Sequence, residues 1–178
     1  DAIKAARMQD IPVYFGNPTS EHAAIHLDLN TIGTVLLLSP YKQLNPMIGY
    51  HFEYTLGKDK VWGLTNNELA TRPSHQVSKD YAKKLSLFAE GITYGYLASA
   101  VSRGAQIKTT ALTPEFTFKD YVEKYGDAAT PLMYINEHNR MHVLLSSDET
   151  IPRAGSKLVS LVEAEMLDSE KVVKPTKD

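Results

Sequence analysis

Cysteine is absent from all 178 residues. That excludes a disulfide scaffold, a cysteine nucleophile and any thiolate metal site, and it is compatible with a reducing compartment. Long apolar runs are missing as well. None is longer than Val35-Leu36-Leu37-Leu38, far short of the roughly 20 residues that a membrane-spanning helix requires. Nor is there a surplus of positive charge. Nineteen Lys and Arg against 21 Asp and Glu leave a formal charge of -2, so no broad field gathers nucleic acid or anionic lipid. What is present is ordinary globular material, 43% hydrophobic and 22% charged, which suffices for one or two modest cores. The chain opens at Asp1 without a basic-then-apolar leader and reads as a section of something longer.

Periodicity in the first third alternates between helix and strand. Residues 2–9 carry Ile3, Ala6 and Met8 among polar residues, an amphipathic turn or two ended by Asp10 and Pro12. Residues 13–15 read as a buried strand, and Gly16-Asn17-Pro18 as a turn. Thr19 or Ser20 can cap the next helix, with Glu21 beside its positive end. Residues 34–38, bounded by Gly33 and Ser39-Pro40, have the β-branched and aliphatic character of a strand covered on both faces. Leu44, Met47, Ile48, Phe52 and Leu56 recur at helical spacing with Gly57 as the stop, and 61–64 make one more short strand. This rhythm is that of a parallel sheet with crossover helices, a partial Rossmann-like α/β unit over residues 1–66.

Residues 67–76, with Arg72-Pro73 and little periodicity, read as a linker. A small α+β module is expected over 77–163. It has helices at 78–88 and 93–103, a strand at 105–110, a hairpin whose arms 132–136 and 141–145 flank Glu137-His138-Asn139-Arg140, and a strand at 157–162. Phe116, Phe118 and Tyr121 fit either a strand or a helix, so the type of 116–125 stays open. Residues 164–178 mix charges with Pro175 and read as a frayed helix or a disordered tail. No internal repeat is visible.

Local chemistry is sparse. There is no G-x-G-x-x-G, no G-x-x-x-x-G-K-[ST], no G-x-S-x-G and no H-E-x-x-H. His22 and His26 stand four apart and share a helical face beside Glu21, but two ligands do not make a zinc site. His138 and His142 flank a turn. Asp120, Glu123 and Asp127 form an acidic side that suits solvent better than acid–base catalysis. Tyr94, Tyr96, Phe116, Phe118, Tyr121 and Tyr125 lack interleaved arginines and suit a core better than a platform for bases. One pair of turns stands out: Gly16-Asn17-Pro18-Thr19 and Ser39-Pro40 each follow a strand end, the edge where open parallel sheets bind ligands. Such turns also serve merely as connectors.

The run Ile11-Pro12-Val13-Tyr14-Phe15-Gly16-Asn17-Pro18-Thr19, followed by Leu27-Asp28-Leu29, Ile32-Gly33, Val35-Leu36-Leu37-Leu38-Ser39-Pro40 and Leu44-Asn45, resembles the second half of the RCK or Trk-type nucleotide-binding domain. Gly104-Ala105-Gln106-Ile107-Lys108, Leu112-Thr113-Pro114-Glu115-Phe116 and Ala154-Gly155-Ser156-Lys157-Leu158 are similar to the module that follows it in bacterial sodium:proton antiporters of the monovalent cation:proton antiporter-1 family. Gly16, Thr19, Ser39 and Asn45 match the nucleotide fold; Asn17 and Pro18 replace its usual aspartate and alanine. The family's glycine-rich first turn and the acidic end of its second strand have no counterpart here.

The resemblance implies a non-catalytic regulatory domain on the cytoplasmic side of the bacterial inner membrane, joined to a transmembrane antiporter part and paired as a homodimer. It carries over Gly16, Asn17, Thr19 and Ser39 as cofactor-binding positions, with NAD or another adenine nucleotide as a weakly held ligand and no metal. The α/β rhythm by itself also admits a fragment of a nicotinamide-dependent oxidoreductase. A potassium-uptake accessory subunit is the related non-enzymatic alternative.

Overall fold

The first helix, α1 (Ala2–Arg7), ends where Asp10 turns into the left-handed region at φ 55°. Helix α2 (Glu21–His26) is capped by the Ser20 hydroxyl, which accepts from the Ala23 amide at 3.1 Å. It stops earlier than the spacing of Ile25, Leu27 and Leu29 suggests. Asp28 accepts from the Asn30 amide and starts a separate 3-10 turn at Leu29–Thr31, a local alternative that Asp side chains offer the backbone. Strand β1 (Val35–Leu37), helix α3 (Leu44–Leu56) and strand β2 (Val61–Gly63) follow. These come from a computed structural model that describes residues 2–41, 43–65, 87–148 and 151–172.

Strands β1 and β2 pair in a small parallel sheet, and α3 packs on them. Leu37, Phe52 and Val61 form the core, with Leu29, Val35, Ile48 and Leu56 against it. Gly49 sets the spacing: a Cβ there would stand 3.2 Å from Leu37 Cδ1, so the helix comes this close because the side chain is missing. The sheet is more open than a strand covered on both faces would be. Val35 and Leu36 are half-buried and Leu38 is 43% exposed.

Residues 13–15 are not a strand. They lie in a loop, with Phe15 83% exposed. No described neighbour supplies ladder bonds, and a lone apolar strand has nothing to satisfy its backbone. Tyr14 instead folds back to α2, its hydroxyl 3.1 Å from His22 Nδ1 and 3.3 Å from Ser20 Oγ.

The chain divides into two compact units, Asp1–Trp62 and Gly63–Asp178. The expected linker at 67–76 and most of the expected helix at 78–88 lie outside the described residues. The last two of those positions are not helical. Leu87 forms an antiparallel bridge with Leu145, and Phe88 takes a φ of 70°.

The second unit contains helix α4 (Tyr94–Ser102), strand β3 (Gln106–Ala111), helix α5 (Phe118–Tyr125), strands β4 (Ala129–Ile135), β5 (Met141–Val143) and β6 (Lys157–Val162), and helix α6 (Ala164–Val172). The strands form an antiparallel sheet in the order β3-β6-β4-β5. β4 and β5 are the expected hairpin, turned at Asn139 with φ 57°, a conformation asparagine tolerates. Leu112, Tyr121, Tyr125, Leu144, Leu158 and Val162 form the core, with Met166 and Leu167 of α6 packed against it. The open question over 116–125 resolves in two parts: Phe116 forms an isolated antiparallel bridge with Thr113, and helix begins at Phe118, where Thr117 and Asp120 make a capping box. The fold class is therefore mixed, a small parallel α/β unit and an antiparallel α+β unit. Among the described residues no helix is long and apolar enough to cross a membrane.

Candidate functional site

Of the four positions singled out by sequence, Gly16, Asn17 and Thr19 share one turn and Ser39 closes another. Asn17 Oδ1 accepts from the Thr19 amide at 3.0 Å and from the Thr19 hydroxyl at 2.8 Å. The Asn17 carbonyl accepts from the Ser20 hydroxyl and amide at 2.8 and 3.2 Å. Asn17 thus builds an Asx turn that delivers the chain to the cap of α2. At Gly16 an added Cβ would lie 2.9 Å from Tyr14 Oη, so the glycine leaves room for the ring that folds back.

Ser39 is engaged in the same way. Its hydroxyl donates to Asn45 Oδ1 at 2.5 Å, while Asn45 Nδ2 donates to the Ser39 carbonyl at 3.1 Å. The Tyr41 amide also reaches Ser39 Oγ, at 3.3 Å. This ring ties the end of β1 to the first turn of α3, which explains a serine and an asparagine six apart without any ligand.

Phosphate recognition needs convergent N–H and O–H donors. Here the Thr19 amide and hydroxyl and the Ser39 hydroxyl are all spent on closing their own turns. As they stand, these residues do not make a phosphate cradle, so no nucleotide-dependent step is derived from them. What they do is hold two loop–helix junctions rigid.

The remaining candidates have structural partners. The rings of His22 and His26 stack with centroids 4.0 Å apart, and His26 Nδ1 lies 2.8 Å from the His22 carbonyl. Among the described residues no three His, Asp or Glu side chains come together as a metal-binding group. His142 stacks on Tyr134 at 4.9 Å with Nε2 beside Asn136 Nδ2 at 3.2 Å, and His138 pairs with Glu137 at 3.7 Å on the exposed hairpin. Asp120 caps α5. It accepts from the Thr117 hydroxyl at 2.6 Å and the Thr117 amide at 2.8 Å. Those two hydrogen bonds, the hydroxyl's first, hold its carboxyl below the ordinary aspartate range. Tyr121 and Tyr125 stack 4.4 Å apart in the core, and the Tyr96 hydroxyl meets Thr130 Oγ1 at 3.2 Å. Tyr94 is the outlier of that group, 42% exposed.

Sequence reasoning missed a cavity of about 280 Å³ inside the second unit, where Phe88, Phe118, Leu144 and Ile151 meet. One signal for it was visible. Pro131 interrupts a strand-like run, and β4 slips register against β6 between Pro131 and Met133; proline within a sheet marks an edge or a bulge because it has no N–H to donate. The other boundary, Phe88 at positive φ, has no sequence signature. A bulky residue held there costs on the order of 1–3 kcal/mol.

No protein-family model matches the chain, and comparison with curated proteins gives no match.

Proposed function

We propose that the chain is the cytosolic regulatory region of a monovalent cation:proton antiporter, acting through subunit association or ligand binding and not through bond making. The sequence resemblance supplies the context. The observation that carries the regulatory reading is that α3 has two apolar faces. Ile48, Phe52 and Leu56 serve its own core, while Leu44, Met47, Tyr50 and Tyr54 are 50, 69, 74 and 90% exposed. At 100° per residue these four fall within an arc of about 120° on the opposite side. A helix with a second apolar stripe suits a partner, and a contact made in one arrangement of a transporter and not in another shifts the balance between them by its differential free energy.

The self-closed turns at Asn17 and Ser39 favour association over nucleotide binding as the operative input. The test is transport itself. Sodium- or potassium-driven proton exchange is followed by a pH-sensitive dye in everted vesicles carrying the complete antiporter, its Met47→Glu variant, and a form lacking this region. The reading predicts a shifted pH profile or half-saturating cation concentration in both altered forms at equal membrane abundance. Unchanged profiles in both would reject it.

A further inference from the structure

We propose that the cavity of the second unit binds a small organic cation with an apolar body. This does not depend on the transporter reading, because it rests only on residues of the antiparallel unit. The recess has a volume of about 280 Å³, room for a ligand smaller than the drug-sized molecules that fill pockets of roughly 300–1,000 Å³. Phe88 and Leu144 are buried at its base, and Phe118, at the first position of α5, stands half-buried at its side.

Two backbone irregularities bound this one space. Phe88 sits at φ 70°, pinned there because its amide donates to the Leu144 carbonyl at 2.8 Å. On the facing strand, the register shift begins at Pro131, and the Leu144 amide donates to the Leu132 carbonyl at 3.0 Å. The backbone stays joined across both, through Phe88 to Leu144 and Leu144 to Leu132, and the irregularities fall beside the recess that Phe88, Pro131 and Leu144 line. Bulges and strained aromatics of this kind collect at ligand sites, and here both lie on one recess.

The charge of the lining selects the ligand. Glu90 and Asp148 are exposed residues of the cavity lining, and among the described residues no Lys, Arg or His shares that lining. An anion entering meets two like charges, whereas a protonated amine finds two carboxylates and two aromatic residues, Phe88 and Phe118, of the kind whose ring faces attract cations. The apolar floor rewards a hydrocarbon body on the same molecule.

Three probes of matched size separate these contributions: 2-phenylethylammonium, 2-phenylethanol and 3-phenylpropionate, titrated into the full chain by calorimetry and followed by amide chemical shifts. The ammonium should bind with a Kd below about 1 mM, within the reach of so small a ligand. The alcohol should bind more weakly and the carboxylate more weakly still, with shifts at 87–90 and 144–148. Glu90→Gln and Asp148→Asn should each weaken the ammonium by about fivefold, the upper end for an exposed ion pair, and leave the alcohol unchanged. Ala89→Trp and Ser146→Trp place bulk at two exposed lining positions. Whichever of these retains the wild-type melting curve should lose all three ligands. The proposal fails if the ammonium binds no better than the alcohol, if the carboxamide variants leave that preference intact, or if nothing binds at 5-fold above about 1 mM.

Discussion

Removing the Thr117 side chain tests the start of α5 and, with it, the placement of Phe118 in the wall of the cavity. In Thr117→Ala the Asp120 carboxylate loses its 2.6 Å hydroxyl donor, and the Asp120 amide loses its 3.4 Å acceptor. The two contacts are the two halves of one capping box. Deleting a hydroxyl N-cap costs about 1 kcal/mol, which for a unit of this size lowers Tm by about 4 °C. Thr117→Ser should recover most of that. Acid titration adds a separate readout. Because Asp120 is held below its ordinary value of 3.8, the folded state binds its proton less readily than the unfolded state does. Its contribution is therefore fully present above that ordinary value and is lost as pH falls through the lowered folded value. The stability difference between wild type and Thr117→Ala should be constant near neutrality and shrink in acid below pH 4. Thermal and urea denaturation followed by circular dichroism from pH 7 downward measure it. A variant as stable as wild type, or a difference that persists unchanged at the acid end, would show that the box does not set this helix.

Gly57→Ala should cost about 1–3 kcal/mol although nothing stands within 4 Å of the added Cβ, because φ 107° with ψ 154° is a region open essentially to glycine alone; a melt within 1 °C of wild type would contradict this. Ser160 is 1% exposed and its hydroxyl has no hydrogen-bond partner among the described residues. Ser160→Ala should therefore be neutral or stabilising by up to about 1 kcal/mol, and a loss of more than that in urea would reveal a hidden partner. Calorimetry with NAD, NADH, ATP and AMP should give at most weak heats. Micromolar affinity would mean that the turns at Asn17 and Ser39 reopen to free their donors.

How much of this could be read from residues alone depended on whether the signal was local. The helix over 44–56 declared itself through apolar spacing and Gly57, and α3 has those limits. The hairpin arms and the strand over 157–162 were legible because alternation and turn residues act over a few positions. Residues 13–15 show the opposite case: their composition favours a strand, but a strand exists only when a neighbour completes its hydrogen bonds. The Ser39–Asn45 ring could not be foreseen, since a spacing of six residues across a strand–helix junction has no fixed geometry. The cavity was hidden for a related reason. It depends on Phe88, Phe118, Leu144 and Ile151, which are distant in sequence and brought together by an antiparallel order that residues do not spell out.

Leu44, Met47, Tyr50 and Tyr54 line the outer face of α3, and Ile11 and Phe15, 51 and 83% exposed, lie in a segment with no ladder partner among the described residues. Large apolar side chains in a row on one helix face are a liability in a free monomer. Burying one such side chain fully contributes about 1.5–3 kcal/mol, so the four on α3, doubled by a two-fold axis, supply at most about 12–24 kcal/mol against the roughly 4–15 kcal/mol that association costs. The chain should therefore form a dimer in the low micromolar range. Met47→Glu places a charge in the centre of the stripe, 69% exposed in the single chain, so it should leave the fold of the first unit unaltered while weakening association at least tenfold. Tyr54→Glu, at the solvent-ward end, should weaken it less. Sedimentation equilibrium across concentrations gives both constants, and circular dichroism of each variant reports the fold. If wild type sediments as a strict monomer at high micromolar concentration, or if Met47→Glu dimerises as well as wild type does, the outer face of α3 is not the contact.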